Sequence, residues 1–151
     1  MLQKRRTIAS IPDGLCDTAQ KIRKGRCVIR KFDESKKEYV YALPSSADEA
    51  KAVYGFITLR IDEDTHKESY YDDIDAGKKA VVYTLVPNES WGTTEFEGEP
   101  AIGDKMVVDS VGDNAGKLKV AGDGDTAQFE VVATYPALGG YEEPMIDVRV
   151  L

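Results

Sequence analysis

The run KMVVDSV at 105–111 is followed by GDNAG at 112–116, KLKV at 117–120, GDGD at 122–125 and QFEVVAT at 128–134. Each short apolar stretch is rich in β-branched residues, and glycine with Asp or Asn follows two of them. Branched side chains fit a pleated, half-buried surface, and glycine accepts the positive φ of tight turns, so the alternation predicts strands joined by turns. A last run, MIDVRVL at 145–151, keeps the rhythm. Strand signals returning about every eight to twelve residues predict a β-sandwich or a β-barrel. The helix–strand alternation of a parallel α/β sheet is absent.

Upstream stretches agree. RCVIRKF at 26–32 and EYVYAL at 38–43 flank the polar DESKK at 33–37, the pattern of a hairpin, and Pro44 stops the second strand. SSADEAKA at 45–52 is the one good helix signal: Ser46 can cap it, and Glu49 three residues on completes a capping box. VYGFITL at 53–59 and KAVVYTLV at 79–86 read as further strands, the second buried and stopped by Pro87. The predicted architecture is all-β: a small sandwich or barrel over 25–151 with one short helix. With 151 residues, one domain is expected, since a chain of this size buries about 68–70% of its unfolded surface.

Residues 1–24 lack regular apolar periodicity, and Ile8, Ile11 and Leu15 are spaced like anchors on an extended segment broken by Pro12 and Gly14. An extended N-terminal arm with little core of its own is expected there. Charge sets the same region apart. Residues 1–37 hold eleven of the 20 Lys and Arg and four of the 27 Asp and Glu, a net of +7, and the remaining 114 residues carry −14. So acidic a body repels nucleic acid, whereas a basic arm fits an acidic partner surface or a neighbouring copy. The simpler alternative is a solvated basic edge with no partner.

Catalysis has no positive signal. The single histidine, His66, can be paired with Asp62 or Asp64 as a general base, but no Gly-x-Ser-x-Gly elbow accompanies it, and a surface histidine is the simpler assignment. No phosphate-cradling glycine loop is present. Asp73-Ile74-Asp75-Ala76-Gly77 misplaces the glycine of a calcium loop, and the acidic stretch 61–78 reads as a solvated excursion. Asp123-Gly124-Asp125 is explained by turn chemistry. Cys16 and Cys27 form neither a CxxC nor half of a zinc set, and reduced thiols are expected. No apolar run reaches a membrane span, and no apolar h-region follows the basic start. No cofactor, metal, nucleic acid or membrane is expected as a partner.

Four motifs in order carry a family likeness: Gly25-Arg26-Cys27-Val28 after a short arm, and Ala50-Lys51-Ala52-Val53-Tyr54-Gly55-Phe56 out of the helix. Ala101-Ile102-Gly103-Asp104-Lys105-Met106-Val107-Val108 comes third, and Gly116-Lys117-Leu118-Lys119 precedes a closing hairpin that ends in Val148-Arg149-Val150-Leu151. Over about 25–151 the chain resembles the capsid decoration, or cement, proteins of tailed bacteriophages. The resemblance implies a non-enzymatic β-rich virion protein, made in the host cytoplasm. Such a protein binds the major capsid protein on the outside of the expanded shell, as a dimer or trimer, and stabilises it. It implies further that the arm 1–24 makes the contact, through Lys4, Arg5, Arg6, Lys21, Arg23 and Lys24 with Ile8, Ile11 and Leu15 as apolar anchors. The acidic excursion has no counterpart in that pattern. Two other classes compete: a glycan- or host-binding adhesin, with Trp91, Tyr70 and Tyr71 as an aromatic platform, and a small hydrolase built on His66.

Overall fold

The computed structural model describes residues 1–9, 12–14, 16–59, 73–137 and 143–151. Along the chain come β1 (Leu2–Arg6), β2 (Pro12–Asp13), β3 (Asp17–Thr18), β4 (Ile22–Arg23), β5 (Cys27–Asp33), β6 (Glu38–Ala42) and the helix α1 (Ala47–Lys51). Then follow β7 (Gly55–Thr58), β8 (Asp73–Ile74), β9 (Val81–Thr84), β10 (Ser90–Thr93) and β11 (Lys105–Val108). A 3-10 turn at Gly112–Asn114 leads to β12 (Leu118–Val120), β13 (Phe129–Tyr135) and β14 (Met145–Val150). The first six-stranded sheet has the order β1-β10-β14-β13-β11-β12 and the second β2-β9-β7-β5-β6-β3. All their pairs are antiparallel except β3 with β6, and β4 pairs with β8 as a small ribbon. The chain is all-β and sandwich-like, with one short α-helix.

Alternation along the second sheet places the core. Cys27, Phe56 and Tyr83 form one cross-strand row. That row faces the first sheet, where Trp91, Phe129, Val131, Ile146 and Val148 complete the larger cluster. The Phe56 ring lies 5.5 Å from that of Phe129, and the Tyr83 ring 4.9 Å from that of Trp91. The intervening residues Val28, Ile57 and Val82 turn to the opposite face and build a second cluster with Tyr41, Cys16, Ile22, Ile74 and Ala80. A sheet covered on both faces takes uninterrupted apolar runs, which is why β5 opens Cys27-Val28-Ile29 with every residue buried. Cys16 and Cys27 are free thiols in different clusters, and burial pushes the Cys27 thiol up.

The N-terminal segment is bonded into the body along its described length. β1 pairs with β10 at one edge of the first sheet, β2 with β9 at one edge of the second, and β3 with β6 at its other edge. Residues 1–18 therefore supply three of the four edge strands of the two large sheets. Cys16 and Ile22, at 3% and 1% exposure, close the outer face of the second sheet. The acidic excursion is likewise anchored at its described end, where Ile74 of β8 is buried against Ile22 of β4.

Two local details follow the sequence closely. The Ser46 hydroxyl accepts the Glu49 N–H at 3.2 Å, capping α1, while the Glu49 carboxylate turns to the Ser45 N–H and hydroxyl at 2.6 and 2.7 Å, one residue before the capping-box position. Gly116, with φ +83°, ends the turn before β12. Its carbonyl accepts the Cys27 N–H at 2.7 Å, and a Cβ there would lie 2.5 Å from the Cys27 carbonyl oxygen. Only glycine joins the two sheets this closely.

Candidate partner-binding surface

Most of the basic side chains expected to reach a partner are engaged within the chain. Lys4 faces the seam between the sheets, its ammonium 4.8 Å from the centre of the Tyr83 ring and 6.0 Å from that of Trp91. The register shifts between Lys4 and Arg6, and Arg5, next to Lys4 on β1, alternates to the outer face of the first sheet. There its Nε meets Asp147 Oδ1 at 2.9 Å, its guanidinium stands 5.4 Å from the Tyr135 ring, and the Tyr135 hydroxyl donates to Asp147 Oδ2 at 2.9 Å. The pair lies directly over Gly92, where a Cβ would fall 2.7 Å from Asp147 Oδ1. Asp147 is 7% exposed, so Arg5→Ala takes the charged partner from a nearly buried carboxylate and leaves it the Tyr135 hydroxyl. It is expected to cost about 1–3 kcal/mol, read as a lower urea midpoint at unchanged slope. An unchanged midpoint would place this pair among the surface contacts that contribute nothing.

Arg23 is held in ion-pair contact with Glu95 at 3.0 Å, not aligned for a hydrogen bond, and with Glu143. Arg26, absent from the predicted contacts, donates to the same Glu95 at 2.8 Å and to the Ala115 carbonyl at 3.1 Å. Glu95, 2% exposed, is thus clamped between two guanidiniums where the N-terminal segment joins the first sheet. Lys24 is 5% exposed and belongs to that junction. Lys21 pairs with Asp73 at 3.1 Å, a solvent-exposed contact of small energetic weight. Ile11 and Leu15 lie outside the described residues, as do His66, Asp62, Asp64, Tyr70 and Tyr71.

What the N-terminal segment leaves on the surface is narrower than the expected arm. Arg6 is exposed, and Ile8 is 58% exposed. The backbone beneath them is fixed, because fully buried Glu89 accepts the N–H groups of Ile8 and Ala9 at 2.6 and 2.7 Å. The outward side chains of Arg6 and Ile8 are thus presented beside the edge of the first sheet on a hydrogen-bonded base.

A second exposed feature was not singled out in the sequence. The β5–β6 hairpin projects beyond the second cluster, and Phe32 and Tyr39, opposite one another in its register, remain 43% and 52% exposed. Their rings meet edge to face at 5.4 Å, and the Arg30 guanidinium stands 4.8 Å from the Tyr39 ring. An Asx turn at Asp33, accepting the Ser35 and Lys36 N–H groups, fixes the hairpin tip beside them. Only Tyr41 of the three aromatics in this hairpin is fully buried.

Trp91, the candidate for an aromatic platform under the competing adhesin reading, is fully buried, because β10 lies between β1 and β14 and turns the indole into the larger cluster. Among the described residues no three His, Cys, Asp or Glu side chains gather into a metal-ligand set, and no helix is long and apolar enough to cross a membrane. No protein-family model, no curated protein and no solved structure matches the chain.

Proposed function

We propose that the protein is a structural virion component that binds the outer surface of an expanded phage capsid and stabilises it, with the major capsid protein as partner and several copies on each shell. The observation that carries this is the presentation of Arg6 and Ile8 on a hydrogen-bonded base beside the edge of the first sheet, on a chain whose remaining body is strongly acidic. A basic and apolar contact patch on an acidic protein favours one docking orientation and disfavours self-association through the body. The order of the glycine-and-strand motifs supports the same reading. A second reading, adhesion to a glycan, draws on the exposed Phe32–Tyr39 pair beside Arg30, since aromatic faces stack on sugars.

Co-sedimentation of the full chain with expanded, decoration-free phage heads tests the proposal. Saturable binding at a fixed number of copies per capsomer is expected. Arg6→Glu combined with Ile8→Asp should weaken it at least tenfold, about 1.4 kcal/mol, without altering the thermal transition. No binding to any expanded head would overturn the capsid reading. Binding by the native chain that the double variant leaves intact would remove the N-terminal contact from it.

A further inference from the structure

Three acidic and basic side chains meet at the other end of the first sheet, and the proposed capsid contact makes no use of them. β12 lies between β11 and the strip 95–97, which it meets through a parallel bridge of Leu118 with Phe96. Lys119 sits on β12. Asp109 follows directly on β11, its N–H donating to the Lys117 carbonyl. Glu97 comes from the strip, its N–H donating to the Leu118 carbonyl. The Lys119 Nζ is 3.1 Å from Asp109 Oδ1. The same Oδ1 accepts the N–H groups of Ser110 at 2.7 Å and Val111 at 3.2 Å. The Asp109 side chain is 8% exposed, and one buried oxygen of Glu97 meets no hydrogen-bond donor. Asp109 and Lys119 line a groove of about 250 Å³ with a mixed wall, apolar at Ala50, Val107 and Val108 and polar at Asp125, Thr126 and Gln128.

An amine touching a nearly buried carboxyl, with a second carboxyl beside it and two N–H groups on one carboxylate oxygen, holds the parts that amide formation needs. We propose that Lys119 and Asp109 are joined by an intramolecular isopeptide bond that the folded chain forms on itself, with Glu97 carrying the proton.

The step balances without an external reagent. In the ion pair the Lys119 ammonium gives one proton to the carboxyl pair, and the neutral amine attacks Asp109 Cγ. Charge building on Oδ1 is held by the Ser110 and Val111 N–H groups, which already point at that atom. Glu97 takes a second proton from the nitrogen and delivers it to Oδ2. The Nζ–Cγ bond forms, the Cγ–Oδ2 bond breaks, and one water leaves. The nitrogen keeps one of its three protons, the departing oxygen takes two, and nothing is oxidised or reduced. Burial, then the neighbouring Asp109, raises the Glu97 carboxyl above the usual carboxylate range, which suits a group that holds and passes a proton. At Asp109 burial acts upward as well, but Lys119, Glu97 and the Ser110 N–H outweigh it and hold the carboxyl below that range, so the resting state is the ion pair. The product ties β12 to the residue that ends β11 and closes the segment 109–119 covalently.

Mass spectrometry of the full chain reads the bond directly. The native protein is expected to be lighter than its sequence by one water. Trypsin should fail to cleave after Lys119 and yield a branched peptide joining 106–117 to 118–149. Lys119→Arg, which keeps the ion pair and the fold, should restore the full mass, and so should Asp109→Ala and Glu97→Gln. A native chain of full mass with normal cleavage after Lys119 would overturn the proposal. A water loss that survives Lys119→Arg would overturn it equally, since it would mark a succinimide at one of the Asp-Gly steps, Asp13-Gly14 or Asp123-Gly124. Capsid binding plays no part in either readout, so the two proposals stand or fall separately.

Discussion

Deleting residues 1–24 is expected to abolish the cooperative thermal transition of the body rather than to release a dispensable arm. The deletion removes Cys16 and Ile22 from the second cluster and uncovers Val28, Tyr41, Ile57 and Val82 on the outer face of the second sheet. It also strips three sheet edges of their outer strands and leaves Glu89 buried without the two N–H groups it accepts. Exposing one large apolar side chain costs about 1.5–3 kcal/mol, and taking two N–H donors from a buried carboxylate adds about 1–3 kcal/mol. Five or more such losses reach the whole stability of an ordinary domain, about 5–15 kcal/mol. Calorimetry of 25–151 against the full chain checks this. A sharp transition near that of the full chain would show that the second sheet holds its outer face without the strap. Lost capsid binding by such a truncation would therefore report unfolding, which is why the contact is better tested at the Arg6 and Ile8 side chains.

The all-β architecture is legible because its signals are local. Glycine turns between short β-branched runs, the hairpin over 26–43 and the Ser46 cap each rest on neighbouring residues, and the structure carries all three. The bonding of the N-terminal segment was not legible, for two physical reasons. Its first strand, LQKRR, grows steadily more exposed and is charged because it is an edge, where charge blocks unwanted pairing, and the same charge reads as a free arm. The strands β2, β3 and β4 are two residues each, too short for any period to show.

Side chains follow the same division. The exposed Phe32–Tyr39 pair occupies strand positions where aromatics are usually buried, and only the hairpin's projection beyond the second cluster leaves them in solvent. Glu97, Asp109 and Lys119 are 22 residues apart at most, yet nothing local marks them. They meet because Phe96 bridges Leu118 and Leu118 pairs with Val108, a register set by the first sheet as a whole.

Trp91→Ala carries the second large expected effect, a loss of about 3–5 kcal/mol of folding stability. Trp91 is fully buried on a central strand, its ring 4.9 Å from Tyr83 and 6.2 Å from Phe56, and no smaller neighbour can close the space it fills. Its indole N–H meets no acceptor, so Trp91→Phe gives up volume but no hydrogen bond and should cost only about 1–2 kcal/mol. The pair of variants separates core from contact. If Trp91 acts only in the core, binding to capsid or glycan should fall with the folded fraction in Trp91→Ala and be fully retained in Trp91→Phe below its transition. A Trp91→Phe chain that melts near the native temperature but no longer binds would put the indole at a contact surface, and the buried packing between the sheets would then have to open on binding. Parallel denaturation and binding titrations of the two variants decide between these outcomes, because packing losses scale with the volume removed whereas the loss of a contact does not.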